Sequence, residues 1–546
     1  MTERQKLLFE LSQDELDMHE APYITASSSA RRRSTELCTT PSSSTLTSLS
    51  SQKSGQDKPS RPSSFDHEAP SSPRQAQEYS YSYTATTEYA QLDVDDSEVS
   101  TPFRAHDQRH ALLLNDDDLD EESSMDSQQE SKYRLPSEGG TVFTSFLNMA
   151  NSIIGAGIIG IPYSVREAGF GMGIILLILL TVVVDWTIRL LIFDGKLASR
   201  TTYQDLLEFA FGRPGLIAIS IFQFAFAFGG ICAYCVIIGD TIPHVIRSLF
   251  PSIQNTPVLW IFGDRNLCIA FFVLFVSYPL SLYRDISKLA KTSALALVAI
   301  VFITVSVAVE GPKTPVELRG DPSVRFNFSN NEVFQAIAVI SFAFVCHHNS
   351  FLIFGSLKQP SLNRFAQVTH WSMAIAFITC MVLGLSGFLV FTDKTAGNIL
   401  NNFPSDNVFI NIARLAFGLN MFTTIPLETF VCREVLETFF WPSHSFHLKR
   451  HFTITTVLTL IGLTISLLTC NLGILLELTG AFSATALAYI LPPLCYLKLA
   501  TGSLWHWSKL PHWCCLVFGL TIMIVSSFYS LQKVFTGHQD AVSCDV

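Results

Sequence analysis

"NSIIGAGIIGIP", residues 151–162, is the stretch on which the fold turns. It lies in the first long apolar run of the chain, yet carries Gly155, Gly157, Gly160 and Pro162. Glycine lowers helical preference and proline has no amide to donate, whereas a helix in lipid must satisfy every backbone group internally. A stripe of small residues that lets helices pack closely would explain such a run. Gly155 and Gly157, however, are two residues apart rather than four, and polar Asn148, Asn151 and Ser152 precede them. The spacing predicts a break in the helix, placed where its freed backbone groups meet protein or water.

The surrounding chain supplies the membrane. Of 546 residues, 48% are hydrophobic and 15% charged, and the mean hydropathy is +0.33. A crossing takes about 20 apolar residues, and by that measure eleven segments qualify: 141–164, 169–194, 214–242, 258–283, 287–309, 331–356, 368–392, 407–430, 452–470, 472–498 and 511–532. The fold class expected is an all-α integral membrane protein with about eleven transmembrane helices. No cleavable signal peptide opens the sequence, since "MTERQKLLFELSQDE" lacks an apolar core of the required length. The first span is therefore expected to target the chain.

Residues 1–139 read as a cytosolic, disordered tail rich in Ser and Thr and acidic towards its end. Such a composition buries too little apolar surface to offset ordering entropy. Glu3, Leu7 and Leu8 fit an acidic dileucine pattern and Tyr89 with Leu92 a tyrosine-based one, addresses for sorting adaptors that point to an endosomal, lysosomal or vacuolar membrane. "RRRS", ending at Ser34, offers a kinase site. Residues 140–535 form the transmembrane domain and 536–546 a short tail. More Lys and Arg fall in loops on the first tail's side than opposite, and the positive-inside rule places that side in the cytosol. The sequon "NFS" makes Asn327 a glycosylation site on the lumenal or extracellular face. The C-terminus then lies on that face too.

Several function classes are excluded by what the sequence lacks. It has no Gly-rich phosphate loop and no Ser/His/Asp set in a soluble context, so neither an enzyme nor a nucleic-acid partner is expected. Cys232 and Cys235 sit inside one apolar run and read as small buried hydrophobes. The His444, His447, His451 group beside "KR" reads as a solvated loop, and no metal site or cofactor is expected.

The sixth span repeats the pattern of the first. In "AVISFAFVCHHNSFLIFGSL" the polar His347, His348 and Asn349 interrupt an aromatic and aliphatic run, and an ionisable residue at membrane depth is costly enough to suggest a function. Spans one and six are five apart, the relation of two inverted five-helix repeats whose broken helices meet at mid-membrane. Half-helix amide ends suit a carboxylate and unwound carbonyls suit an ammonium or cation, and a zwitterionic amino acid supplies both. Ser152, Gly155, Ala156, Gly157, Ser341, His347 and Asn349 are the candidate substrate-binding residues, and His347 or His348 could carry a proton. In the eighth span, "NMFTTIPLETFVCRE" sets Thr423 and Thr424 before Pro426, with Glu428 two residues on.

"NSIIGAGIIGIPYSVREAGF", "SYPLSLYRDISKLAKTS", "SFAFVCHHNSFLIFGSL" and "LETFVCREVL" together resemble the amino acid/auxin permease family over residues 140 to 500. Within it they resemble both the sodium-coupled neutral amino acid transporters and the vacuolar amino acid transporters, and the long Ser-rich tail is more similar to the vacuolar branch. The resemblance implies a five-plus-five inverted-repeat, LeuT-like transporter fold with one extra helix, and secondary active transport of neutral amino acids. It also implies cation binding at Asn151 and Thr424. Sodium and protons both remain open as coupling ion, and the vacuolar or lysosomal membrane and the plasma membrane as location. The alternative is an amino acid sensor that signals through the tail.

Overall fold

The computed structural model describes residues 141–283, apart from 254, 255, 257 and 258, and residues 293–536, apart from 443 and 445. The tail with its sorting and kinase motifs, and residues 537–546, lie outside the described residues. Among the described residues every regular element is helical. Nine helices among the described residues are long and apolar enough to cross a membrane, and ten crossings result if the bent pair Val142–Ile154 and Gly157–Ala168 is one span. The protein is a multi-pass membrane protein.

Each expected segment meets a helix, with one correction. The fourth, expected over 258–283, is only a short apolar helix, Arg265–Ser281. Its start is fixed by Asp264, whose carboxylate accepts from the Leu267 amide at 2.9 Å, and Gly263 and a 3₁₀ turn over Leu259–Phe262 precede it. A capping carboxylate inside an apolar run stops the helix there.

In chain order the elements are α1 (Val142–Ile154), α2 (Ile161–Ala168), α3 (Phe170–Ala198), α4 (Tyr203–Phe211), α5 (Arg213–Leu249) and α6 (Arg265–Ser281). There follow α7 (Ser293–Glu310), α8 (Val333–Phe344), α9 (His347–Gly355), α10 (Leu362–Phe391) and α11 (Val408–Phe440). The last are α12 (Leu448–Leu468), α13 (Leu472–Leu499) and α14 (Leu510–Thr536). Side-chain caps set several of these starts: the Thr141 hydroxyl accepts from Thr144 N at 3.2 Å and the Thr202 hydroxyl from Asp205 N at 3.1 Å.

The two halves of each broken span sit at the centre. The whole of α8 from Gln335 to Phe344 is buried, as is most of α13, whereas α3 and α10 turn Ile178, Leu179, Val182, Ile375 and Ile378 outwards. A helix that is apolar all round is an inner helix. Lipid gives apolar faces no reason to leave it, so packing and buried hydrogen bonds hold such a centre together. One example is the fully buried Arg414 of α11, which donates to the carbonyls of Leu400 at 2.7 Å and Phe403 at 2.8 Å and to Asn411 Oδ1 at 2.7 Å.

The corner between α2 and α3 is closed by Gly169 at φ +88°, a conformation that favours glycine. Its amide face carries the sequon loop: Phe170 N donates to Asn327 O at 2.8 Å, Met172 N to Phe328 O at 2.7 Å, and Asn330 N to Ala168 O at 2.8 Å. A Cβ on Gly169 would lie 2.8 Å from Ser329 Cα, so the loop and the glycine require each other.

Candidate functional site

The first break falls where the glycines were read. Helix α1 ends at Ile154, Gly155 leaves helical geometry with its amide still bonded to Asn151 O at 3.2 Å, and Ala156–Gly160 form a 3₁₀ turn. Pro162 then stands in the first turn of α2, where its missing amide costs nothing. The two halves are bent by 42°. The second break comes at Val345 and Cys346, between α8 and α9. Each break thus combines a carbonyl end and an amide end.

The breaks are joined by side chains as well as by position. Asn349 Nδ2 donates to Ser152 Oγ at 3.0 Å, tying α9 to α1. Asn151, Ser152, Gly155, His348 and Asn349 are all partly open although their neighbours along both spans are buried. Of Ala156 the backbone is described and the side chain lies outside the described residues.

The glycines divide their work. A Cβ on Gly155 would meet nothing nearer than Asn151 O at 3.8 Å, whereas one on Gly157 would lie 2.6 Å from Ala343 Cα of α8. Gly160 likewise has Leu476 of α13 at 2.5 Å from that position. Gly157 and Gly160 therefore let the turn pack onto α8 and α13. Both readings of the glycine run apply, at different residues.

The remaining candidates point to other spans. Ser341 is fully buried, donates to Ile337 O at 2.6 Å and stands 3.1 Å from the Tyr489 hydroxyl of α13. His347 is fully buried with Nε2 3.0 Å from Thr187 Oγ1 of α3. His348 lies with its ring centre 5.0 Å from that of Phe226 on α5. Thr424 is partly open on α11 and its hydroxyl donates back to Asn420 O at 2.8 Å. Asn327 is exposed in its loop.

A charged cluster that sequence reading missed closes one end of the bundle. The Tyr163 hydroxyl of α2 donates to Glu477 Oε1 of α13 at 2.7 Å. Lys533 of α14 donates to Glu167 at 2.9 Å and Glu477 at 3.3 Å and lies 3.8 Å from Glu332. Arg166 bonds Glu167 at 2.9 Å. Glu332, just ahead of α8, has its carboxyl pushed up to about 7, first by its hydrogen bond to Glu167 and then by burial. Tyr163, Arg166 and Glu332 also line a cavity of about 550 Å³, together with Asn327, Lys394 and Asn471. Glu167 and Glu477 stand 310 positions apart, and nothing in the sequence indicates that they share one lysine.

With this geometry in view, the comparisons with known proteins decide the family. The sequence model described as transmembrane amino acid transporter protein matches residues 138–532. The chain belongs to this family. Among members, vacuolar amino acid transporter 2 of Saccharomyces cerevisiae is 41% identical over 413 residues, covering 74% of this chain and 85% of that protein. The protein of Danio rerio provisionally named sodium-coupled neutral amino acid transporter 11 is 37% identical over 394 residues, 71% of this chain and 86% of its own. Its namesake in Homo sapiens is 34% identical over 382 residues, 69% and 90%. Both branches that the sequence motifs resemble are thus among its relatives. The relatives are named as transporters, and the sensor reading gains no support from them.

Proposed function

We propose that this chain moves neutral amino acids across a membrane by secondary active transport, alternately opening one central site to either side. The observation that carries the proposal is the meeting of two mid-span breaks, joined by the bond from Asn349 to Ser152, in a chain whose relatives are named as amino acid transporters. In this reading the freed amides at the breaks take the substrate carboxylate and the freed carbonyls its ammonium. Ser152, Gly155 and Asn349 hold the substrate, while Gly157, Ser341 and His347 fix the spans that frame it. Asn151 and Thr424 are placed by resemblance as oxygen ligands for a coupling cation, sodium or proton being the two candidates. The tail and the yeast relative's name support a vacuolar or lysosomal membrane.

The test is uptake of a panel of labelled amino acids into proteoliposomes at two pH values, with and without sodium. Accumulation that follows an ion gradient and falls with Asn151→Asp is expected. Flux indifferent to every ion gradient and to that substitution overturns the proposal.

A further inference from the structure

Glu428 sits within α11, one helical turn past Thr424, and its role is left open by the site described above. The exposed Leu419 marks the outward face of this helix, at 51% exposure, with Ile412 and Leu415 beside it. At 100° per residue, Glu428 lies about 180° from Leu419 and Thr424 about 140°. Both are nevertheless partly open. Openness on the inward face of a helix is openness to a crevice within the protein.

The partners of Glu428 on α5 are known from the glycine there. A Cβ placed on Gly230 would lie 3.7 Å from Glu428 Cγ and 3.5 Å from the Tyr234 hydroxyl. Phe226, one turn before Gly230 on the same face, meets His348 and Phe342 of the sixth span at ring-centre distances of 5.0 and 5.4 Å. The stripe Phe226, Gly230, Tyr234 thus faces both Glu428 and the second break. Glu428 Oε2 is sealed and has no hydrogen-bond partner among the described residues, and no ion pair to it is formed among them.

The surroundings choose the ion. Sodium prefers a shell of hard oxygens. Among the described residues, the titratable groups that interact with Glu428 include the Tyr234 phenol from α5 and the Cys432 thiol one turn on, with His348 beyond Phe226. Cys432 spends its hydrogen on Phe224 O at 3.8 Å. Arg433, five residues on, donates instead to Ser281 O at 3.0 Å and Thr455 Oγ1 at 2.8 Å, on α6 and α12. Beside the carboxylate itself, these neighbouring side chains supply one oxygen, the Tyr234 phenol, a setting that suits a proton. An unpaired carboxyl at membrane depth is costly to keep and marks a proton path in transporters generally.

We propose that Glu428 is the group that carries the coupling proton in the transport cycle, an assignment that rests on the transport reading above. An O–H bond forms at its carboxylate with a proton taken from water on one side, and the same bond breaks to water on the other once the crevice has switched. No electrons move. In this assignment Glu428 takes the role that the sequence suggested for His347 or His348; His347 is fully buried with Nε2 3.0 Å from Thr187 Oγ1.

Purified wild type and Glu428→Gln, reconstituted in proteoliposomes, test this with two readouts: accumulation of a labelled neutral amino acid driven by an imposed pH gradient, and exchange of labelled for unlabelled substrate without a gradient. The variant is expected to lose accumulation by about tenfold or more while keeping exchange, and Glu428→Asp to restore part of the accumulation with a shifted pH profile. Unchanged pH-driven accumulation in Glu428→Gln overturns the assignment. So does wild-type accumulation that follows sodium alone, or loss of exchange in a variant whose thermal unfolding matches wild type. Should the glutamine variant fail to fold, an unshifted pH profile in Glu428→Asp overturns it as well. A wild type that exchanges no amino acid at all refutes the transport reading itself and this assignment with it; the other outcomes strike the assignment alone.

Discussion

At the scale of single residues, Gly155 and Gly157 predict opposite behaviour from the same substitution. Gly157→Ala puts a methyl 2.6 Å from Ala343 Cα, and overpacking of this kind costs about 1–3 kcal/mol. A lowered unfolding temperature and little folded protein are expected, read by thermal unfolding in detergent. Gly155→Ala has open space and should fold near normally, its effect appearing instead in the KM of uptake. Equal loss of folded protein from both would show that neither glycine marks a break. Asn349→Ala removes one partly open hydrogen bond, worth about 1 kcal/mol, so uptake should fall with stability almost kept. The break itself was legible in the sequence, because two glycines two apart behind Asn151 and Ser152 fit no packing stripe. The packing duty of Gly157 was not, since its partner Ala343 is set by the tertiary meeting of spans one and six. Ser341 and His347 stand out in the sequence for their polarity at membrane depth, and only the folded chain shows their hydrogen bonds reaching to Tyr489 and Thr187.

At the scale of elements, one lysine holds three. Lys533 joins α14 to Glu167 of α2 and Glu477 of α13, both of whose side chains are fully buried. Lys533→Ala leaves two buried carboxylates without their ammonium, a loss of about 3–5 kcal/mol for partners of this burial, and Lys533→Arg should retain most of it. Thermal unfolding measures both, and an alanine variant as stable as wild type would show the cluster to be idle. The same cluster responds to pH through Glu332. Its folded-state value, about 7, is raised from 4.5 by its bond to Glu167 and by burial. A raised carboxyl favours the folded contact below 4.5, and that contribution is lost as pH rises through about 7. The unfolding temperature should therefore fall between pH 5 and pH 8, and Glu332→Gln should flatten that slope; a slope unaltered in the variant would assign it to other groups. Eleven apolar segments were readable because each has the length of a crossing. The short α6 was not, because hydropathy does not register that Asp264 caps a helix.

At the scale of the whole molecule, the two faces are distinguished by what the loops carry. The segment 327–330 is laid across the corner of α2 and α3 by backbone bonds from Phe170 and Met172, and the Asn327 side chain stays exposed while its carbonyl is engaged. That geometry offers the sequon to a modifying enzyme without disturbing the fold if the face is lumenal, the side on which the distribution of Lys and Arg leads one to expect it. Asn327 also borders the cavity bounded by Tyr163, Arg166 and Glu332, so the sequon loop and the Lys533 cluster lie at one end of the bundle. If the short α6 also crosses, the crossings number eleven and the two termini lie on opposite faces. Expression in a glycosylating host should then give a band that shifts on endoglycosidase treatment, and both Asn327→Gln and Ser329→Ala should run at the shifted position. In sealed vesicles a tag at the N-terminus should be cleaved by protease added from the cytosolic side while one at the C-terminus is protected. Glycosylation with both tags cleaved would mean an even number of crossings, and the short α6 would be the segment that turns back. An unmodified sequon with only the C-terminal tag cleaved would invert the molecule, and Glu332 with its cluster would then sense the pH of the cytosol.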